Sequence, residues 1–165
     1  MHAVSPNGTA QNYTTAALQQ RIWKRSTLQG IFINRQAFAD GDSQREDYGR
    51  NLGGEFNYST ADGKWTAQAA YLKSFQPGVS GRDGHLYGNF FYNGQNFRTF
   101  TLVQRVGTNY FADVGFNNRV QNFNPETNEI VRLGYTQVSN NLDYYYYPES
   151  GGKVNFHWSG LENYV

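Results

Sequence analysis

The chain has 165 residues, a formal net charge of +1 and no cysteine, which exclude a strongly basic nucleic-acid-binding surface, disulfides and cysteine-based metal sites. Charged residues make up only 16% of the chain, below the ~25% typical of soluble domains, whereas aromatic residues reach 17%. The mean hydropathy is -0.72, and no segment approaches the roughly 18 consecutive apolar residues of a transmembrane helix. This composition fits a β-barrel in which only alternate residues meet lipid, with a soluble all-β sandwich as the alternative.

The first residues are polar and contain Pro6 and Asn7-Gly8, so we expect a loop or the remnant of a leader over 1–12. This segment lacks the charged and apolar regions of a signal peptide. Because a barrel protein needs that peptide to reach the outer membrane, we expect the sequence to be a piece of a longer chain. Residues 13–165 are then a partial barrel domain, truncated at its C-terminus and also at its N-terminus.

Alternating side chains predict strands over 13–23 and 26–36, with a tight turn at 24–25. Residues 37–47 are polar, and we predict a loop there.

The clearest alternation in the chain lies at 48–60 and 65–76, which predict a hairpin. Each run exceeds the usual strand of about 5–6 residues and reaches the roughly 9–11 residues of a membrane-spanning strand. Glycine and polar side chains such as Asn51 and Glu55 occupy one face. Apolar and aromatic side chains occupy the other, and we predict that they face lipid or form an interfacial girdle: Tyr48, Leu52, Phe56, Tyr58, Trp65 and Tyr71.

A loop at 77–84 precedes strands at 85–92 and 96–106, which Asn93-Gly94 joins as a two-residue turn. Short and long connections therefore alternate, as the periplasmic turns and extracellular loops of bacterial barrels do. Weaker alternation predicts further strands at 110–116, 129–138, 142–147 and 153–158, and the start of another at 161–165. The predicted fold class is all-β, an antiparallel up-and-down meander that forms an open or incomplete part of a transmembrane β-barrel.

Charged residues within the strands are expected to point into a polar lumen, because a charge costs about 2–4 kcal/mol on the lipid face at mid-bilayer. The predicted lumen-lining residues are Arg21, Glu55, Arg105, Asp113 and Arg132. They either select what passes or form a salt-bridge ladder between strands, and we favour the ladder. Glu55 and Asp113 could also be the two carboxylates of a glycosidase. Nothing in the sequence brings these two together, so we predict no catalytic residue.

No metal or cofactor is predicted. The three histidines, His2, His85 and His157, show no metal-ligand spacing. Two segments with a slight likeness to calcium loops, 40–43 and 62–64, are better explained as turns. The four tyrosines at 144–147 suggest a sugar-stacking platform, but alternation divides them between two faces, and an aromatic girdle is the favoured interpretation.

Several segments resemble one known family of barrel domains. They are TTAALQQR (14–21), STLQGIFINR (26–35), RVGTNYFADVGF (105–116), NPET (124–127), IVR (130–132) and LENY (161–164). The family is the C-terminal domain of unknown function 5916, which follows a carbohydrate-binding family 9-like domain in Gram-negative outer-membrane proteins. The resemblance implies an outer-membrane location and a link to polysaccharide handling. Some members carry a hydrolase label, but the matching motifs here are structural.

The function we predict is a non-enzymatic channel or binding module of the outer membrane, with a polar lumen flanked by extracellular loops at 37–47 and 77–84. Its expected partners are outer-membrane lipid, a glycan ligand, the rest of the parent barrel and a carbohydrate-binding domain, and no nucleic acid. One alternative is a soluble all-β carbohydrate-binding module. The second alternative is a glycan hydrolase that uses Glu55 with Asp113.

Overall fold

A computed structural model describes residues 2–4, 9–112, 120–148 and 155–165 of the chain. These residues contain β-strands and no helix. The strands are β1 (His2–Val4), β2 (Ala10–Ile22), β3 (Ser26–Ala39), β4 (Asp42–Ser59), β5 (Trp65–Phe75), β6 (Gly84–Asn93), β7 (Phe97–Val106), β8 (Gln121–Asn124), β9 (Glu129–Arg132), β10 (Tyr135–Tyr146) and β11 (His157–Tyr164).

One antiparallel sheet contains nine of these strands, in the order β1-β2-β3-β4-β5-β6-β7-β10-β11. Strands β8 and β9 form a separate two-stranded hairpin within the connection from β7 to β10. Among the described strands, the two edge strands β1 and β11 do not pair with each other, so the sheet is not closed. The predicted all-β, up-and-down antiparallel meander is confirmed, and its unclosed sheet is consistent with an open barrel.

The strand register divides the side chains between two faces, because directly paired residues point to the same side of a sheet. We call one side the apolar face, represented by Leu18, Leu28, Phe32, Leu52, Phe56, Tyr71, Leu86, Phe90, Val103, Leu142 and Leu161. We call the other side the amide face, represented by Gln19, Gln29, Glu55, Asn57, Gln68, Asn89, Gln104 and Gln137. The six residues predicted to face lipid or form a girdle all share the apolar face.

The predicted loop at 37–47 is wrong. Strand β3 continues to Ala39 and β4 begins at Asp42, so only Asp40 and Gly41 form the turn. Both turn residues have positive φ values, 53° and 88°, as a tight two-residue hairpin turn requires. The polar side chains of this segment are compatible with strand structure because the backbone groups of the two strands pair with each other.

A bulge shifts the register of this hairpin between Gln36 and Phe38. The side-chain amide of Gln36 donates hydrogen bonds to the backbone carbonyls of Gln44, at 2.6 Å, and Asp47, at 3.4 Å. Arg35 forms an ion pair with Asp47 beside it. These contacts hold the polar residues of β4 in place next to the bulge.

Other predicted boundaries also differ from the structure. A short strand at His2–Val4 pairs with 10–12, where a loop was expected over 1–12. The strands predicted at 129–138 and 142–147 are replaced by β9 and the continuous β10. Residues 110–112 are not in a strand, and the rest of the strand predicted at 110–116 lies outside the described residues. Of the strand predicted at 153–158, residues 153–154 lie outside the described residues, 155–156 are not in a strand, and 157–158 belong to β11, as do the residues at 161–164.

Candidate functional site

The amide face carries two neighbouring rows of polar side chains that cross the sheet. The first row extends over seven strands, from β2 to β10, or roughly 29 Å at the usual spacing of strands. Its members are Gln19, Gln29, Glu55, Ala70, Tyr87, Gln104 and Gln137. A side-chain amide has two donor hydrogens and an acceptor oxygen, so this row presents hydrogen-bonding groups of both kinds and one carboxylate.

The second row lies two residues further along the strands, on the same face. Its members are Arg21, Thr27, Asn57, Gln68, Asn89, Leu102, Ser139 and Tyr164. Apart from Leu102, every member has a polar group. The alternation within the strands places these residues together, because each member on β2 to β10 lies two positions from a member of the first row. Tyr164 of β11 joins the row by pairing with Ser139.

Hydrogen bonds link and orient side chains within and between the two rows. Asn57 donates to a carboxylate oxygen of Glu55 at 2.6 Å. Asn89 donates to the amide oxygen of Gln68 and to the hydroxyl of Tyr87, both at 2.9 Å. Fixed side chains lose less conformational entropy when a ligand binds, so these links suit a recognition surface.

At one side of the rows lies a depression of about 370 Å³. Gln19, Gln29 and Glu55 line it together with Ile31 and Leu72. Its wall therefore combines hydrogen-bonding groups with an apolar floor. Such a wall suits a ligand that has both hydroxyl groups and apolar C–H surface.

The connection after β7 folds back over the amide face at the end of the sheet where β5 ends and β6 begins. Val106, Tyr110 and Val120 form a buried cluster there. Burial raises the pKa of the Tyr110 phenol above its ordinary value, so this side chain stays neutral and packs as an aromatic group. We call residues 107–112 the roof segment.

Two buried side chains of the sheet hold the roof segment. Asn51 of β4 donates its amide hydrogen to the carbonyl of Phe111 at 2.7 Å. The Ser74 hydroxyl of β5 accepts the backbone N–H of Phe111 at 3.1 Å. Both Asn51 and Ser74 are only 3% exposed. The roof therefore covers one end of the amide face through backbone contacts with polar side chains of that face.

The structure brings only part of the predicted lumen-lining set together. Arg21 and Glu55 lie on the amide face, in adjacent rows. Arg105 lies on the apolar face instead, paired with Leu86 and Thr136. The prediction that Arg105 shares the face of Glu55 is wrong. In β7 the more apolar set of residues lies on the amide face, and the more polar set lies on the apolar face.

Arg132 belongs to the separate hairpin rather than to the large sheet. Its guanidinium donates hydrogen bonds to the carbonyls of Thr108, at 3.1 Å, and Tyr110, at 2.7 Å, so it supports the roof segment. Asp113 lies outside the described residues. The lumen-lining role of this set, like the hydrolase hypothesis built on Glu55 and Asp113, stays a prediction.

Asn51 and Ser74 are anchors of the site that the sequence pattern did not predict. Their contacts join residues 60 and 37 positions apart, and local alternation carries no signal for such distant contacts.

The described ranges contain neither a cluster of metal-binding side chains nor a membrane-spanning helix. No group of three or more histidine, aspartate or glutamate side chains in those ranges is arranged to hold a metal ion. The same part of the chain contains no helix of the length and apolarity needed to cross a membrane.

Comparison with known protein families, with curated proteins and with solved structures found no match for this chain.

Proposed function

We propose that the chain is a section of an outer-membrane β-barrel of a Gram-negative bacterium, acting as a non-enzymatic channel or binding module. One observation carries this proposal: the face that is rich in aliphatic and aromatic side chains is the more exposed face. Leu18, Leu52 and Leu161 are 74%, 54% and 64% exposed. Gln29, Glu55 and Gln104 on the opposite face are each half-buried. Soluble domains have the reverse arrangement.

The free energy of hydration supports a lipid environment for the apolar face. Removing apolar surface from water contributes about 25 cal/mol per Å², so a band of exposed leucine, phenylalanine and tyrosine side chains is unfavourable in water. Monomeric soluble proteins rarely expose contiguous apolar patches beyond a few hundred Å². Lipid acyl chains would cover this band over the ≈25 Å apolar height of such barrels.

The amide face then lines an aqueous interior. Its glutamine and asparagine side chains are neutral, and they hydrogen-bond to hydroxyl groups in either direction. This chemistry favours uncharged, hydroxyl-rich solutes such as glycans over ions. A link to polysaccharide handling agrees with the resemblance to the domain of unknown function 5916, whose barrels follow a carbohydrate-binding domain. The partners of this section are lipid, the rest of the barrel and that domain.

Membrane fractionation of the full-length parent protein tests the location. We expect the protein in the outer-membrane fraction, and we expect faster gel mobility before boiling than after boiling, because a closed barrel stays compact in detergent. A soluble protein whose mobility does not change on boiling would contradict the proposal. That result would favour the soluble carbohydrate-binding module, in which the apolar face packs against another layer.

Single cysteines test which face meets lipid, and the 165 residues contain no native cysteine. Phe56→Cys and Val103→Cys place the thiol on the apolar face, whereas Asn57→Cys and Gln104→Cys place it on the amide face one residue away. In vesicles, a water-soluble maleimide should label the amide-face pair at least several-fold faster. Each variant is first checked for the heat-dependent mobility shift, so that misfolded protein is not compared. Equal labelling of adjacent positions would contradict the assignment.

Planar-bilayer conductance and oligosaccharide binding test the role of the amide rows. Gln19→Ala removes an amide from the first row, and its neighbour Gln20→Ala removes one from the apolar face, so the pair is matched in residue type and strand. We expect Gln19→Ala to change glycan affinity or conductance and Gln20→Ala to leave both unchanged. If the barrel inserts but neither property responds to the first variant, the amide rows do not form the binding surface.

A further inference from the structure

Three strands share a pattern on the apolar face that the proposed channel does not require. Each has an aromatic side chain near one end and, eight residues away, a cation, which lies near the other end of β5 and of β7 and in the middle of the longer β4. The pairs are Arg50 and Tyr58 in β4, Lys73 and Trp65 in β5, and Arg105 and Phe97 in β7. An even separation places both members of a pair on the same face. We call the three cations the cation line and the three rings the aromatic line.

The distance between the two lines matches the apolar thickness of a membrane. Eight residues of antiparallel strand extend about 27 Å, and strands of outer-membrane barrels are tilted by about 35–45°. The lines are then about 19–22 Å apart along the membrane normal, close to the ≈25 Å apolar band of such barrels.

The register shows that the lines are oblique to the strands. Arg50 pairs with Phe75, two residues beyond Lys73. Lys73 pairs with Gly84, two residues before Leu86, which pairs with Arg105. The cation line therefore shifts by four residues over three strand spacings, a slope of roughly 45° from the standard strand dimensions. A line with this slope becomes level in a barrel whose strands have the usual tilt.

On the apolar face of these three strands, no charged side chain lies between the two lines. The residues there on the apolar face are Leu52, Gly54, Phe56, Ala67, Ala69, Tyr71, Thr99, Thr101 and Val103. A cation costs about 2–4 kcal/mol at the bilayer midplane but only about 0–1 kcal/mol near the interface. The three cations are thus placed where the apolar band ends.

Two of the cations make contacts that orient their side chains. The Nε of Arg50 donates to Asn34 Oδ1 at 3.0 Å, and its guanidinium lies 4.5 Å from the centre of the Tyr48 ring. Lys73 forms an ion pair of 2.9 Å with Asp83. These contacts orient the two cations at the border of the apolar face.

Arg105 lines a groove of about 550 Å³ at the same end of the strands, together with Arg82, Asp83, Tyr71, Thr108 and Thr136. The carboxylate of Asp83 is neutralised there by its ion pair with Lys73. Within the described part of the chain, neither Arg82 nor Arg105 forms an ion pair. Two guanidiniums and two hydroxyl-bearing threonines at one groove suit a phosphate group, which guanidinium binds with paired hydrogen bonds.

We propose that the cation line and Arg82 bind the phosphate groups of an anionic lipid headgroup. This proposal rests on the membrane location proposed above. The connections at 40–41, 76–83 and 107–134 leave the sheet at the cation end, and those at 23–25, 60–64, 94–96 and 147–156 leave it at the aromatic end. The longest of them, 107–134, lies at the cation end, and long connections are extracellular in bacterial barrels, so we assign the lipid to the outer leaflet.

The test compares two triple variants of the full chain that remove the same charge at opposite ends of the strands. Arg50→Gln, Arg82→Gln and Arg105→Gln remove cations at the cation end, and Lys24→Gln, Arg25→Gln and Lys64→Gln remove cations at the aromatic end. Binding is measured with vesicles of phosphatidylcholine alone and of phosphatidylcholine with one-fifth phosphatidylglycerol, at low salt. Because a cation near an anionic surface contributes about 1 kcal/mol, we expect the first triple variant to lose about a hundredfold in preference for the anionic vesicles. The control variant should lose less than tenfold.

The outcomes separate the two proposals. Insertion into neutral vesicles with equal lipid preference in both variants would overturn the headgroup site and leave the barrel proposal intact. Failure of the unmodified chain and of the full-length parent to insert into any vesicle would overturn the barrel proposal itself. If the protein binds millimolar inorganic phosphate but shows no preference for anionic vesicles, the groove is a site for free phosphate. That result would overturn the lipid assignment.

Discussion

The two faces of the nine-stranded sheet differ both in chemistry and in how far the rest of the chain covers them. The apolar face exposes leucine and aromatic side chains along seven strands or more. The amide face carries two polar rows, and the roof segment buries Asn51 and Ser74 at one end of it. Because one backbone supplies both faces through simple alternation, a shift of a single residue would exchange their environments.

Hydrophobic burial within the described residues contributes little to this fold. The buried apolar cluster around Val106, Tyr110 and Val120 is small, whereas backbone pairing extends over long strands such as β4, with 18 residues. The fold therefore depends on the backbone ladder and on what covers the apolar face. Substitutions at matched positions on the two faces measure that dependence.

The largest expected effect comes from a charge in the middle of the apolar face. In lipid vesicles, Leu52→Arg should lower the free energy of unfolding by about 2–4 kcal/mol, because the guanidinium would lie in the acyl region. Its matched control, Gln29→Arg on the amide face, should change stability by less than about 1 kcal/mol. Urea unfolding monitored by tryptophan fluorescence measures both. Equal effects of the two substitutions would mean that both faces meet the same solvent, which would contradict the proposed contact of the apolar face with lipid.

The roof segment tests the amide face. Asn51→Ala removes the donor to the Phe111 carbonyl, and an unsatisfied buried acceptor costs about 1–3 kcal/mol. We expect that loss of stability together with faster hydrogen exchange of the backbone amides at 107–112. Asn34→Ala is the control, since Asn34 lies on the apolar face and accepts a hydrogen bond from Arg50. Unchanged exchange at 107–112 in the Asn51 variant would show that this contact does not hold the roof.

The turn between β3 and β4 tests whether the register keeps the faces distinct. Gly41 has a φ of +88°, and no atom lies within 4 Å of the point that a Cβ would occupy, so Gly41→Ala adds backbone strain without a clash. We expect a loss of about 1 kcal/mol. Gly41→Asn should lose less, because asparagine tolerates positive φ better than alanine does. Equal stability of all three proteins would show that this turn does not constrain the hairpin.

Alternation predicted much of the fold because it is a local property. The central hairpin, its two faces and the hairpin of β6 and β7 follow from period-two patterns and turn residues. The turn of the second hairpin differs from the prediction, because Asn93 pairs with Arg98 and the connection is 94–96 rather than the two residues Asn93-Gly94. The loop predicted at 37–47 is wrong because polar side chains alone do not indicate a loop, and Asp40-Gly41 alone turns the chain. Polar side chains in paired strands need no apolar neighbour when their backbone groups are satisfied.

The facing of Arg105 could not be predicted from its own strand. In β7, Phe100 and Leu102 alternate with Thr99, Thr101 and Arg105, so the more apolar side was expected to meet lipid. The register shows the reverse, since Leu102 pairs with Asn89 and Arg105 with Leu86. Alternation within one strand identifies two sets of residues, but only the pairing with neighbours decides which set lies on which face. The contacts of the roof segment also depend on distant pairs and have no local signal.

The smallest expected effect lies at the border between the faces. Lys73 on the apolar face donates a hydrogen bond to the Asp83 carboxylate, and Ser74 on the amide face donates to the Asp83 carbonyl at 3.2 Å. The hydrogen bond from Lys73 lowers the pKa of Asp83 below its ordinary value.

The pH dependence of this contact follows from the lowered pKa. The folded protein keeps Asp83 ionised at a pH where the unfolded chain, with a pKa of about 4, binds a proton. The stabilisation is therefore complete above that value and is lost as the pH falls through the lower folded pKa. Urea unfolding between pH 2.5 and 6 should show Asp83→Asn less stable than the unmodified protein at pH 6, with the gap closing below pH 4. Lys73→Gln should remove most of the same pH-dependent gap. The absence of a gap at pH 6 would mean that the backbone carbonyl of residue 83, which the variant keeps, holds the border rather than the charge of Asp83.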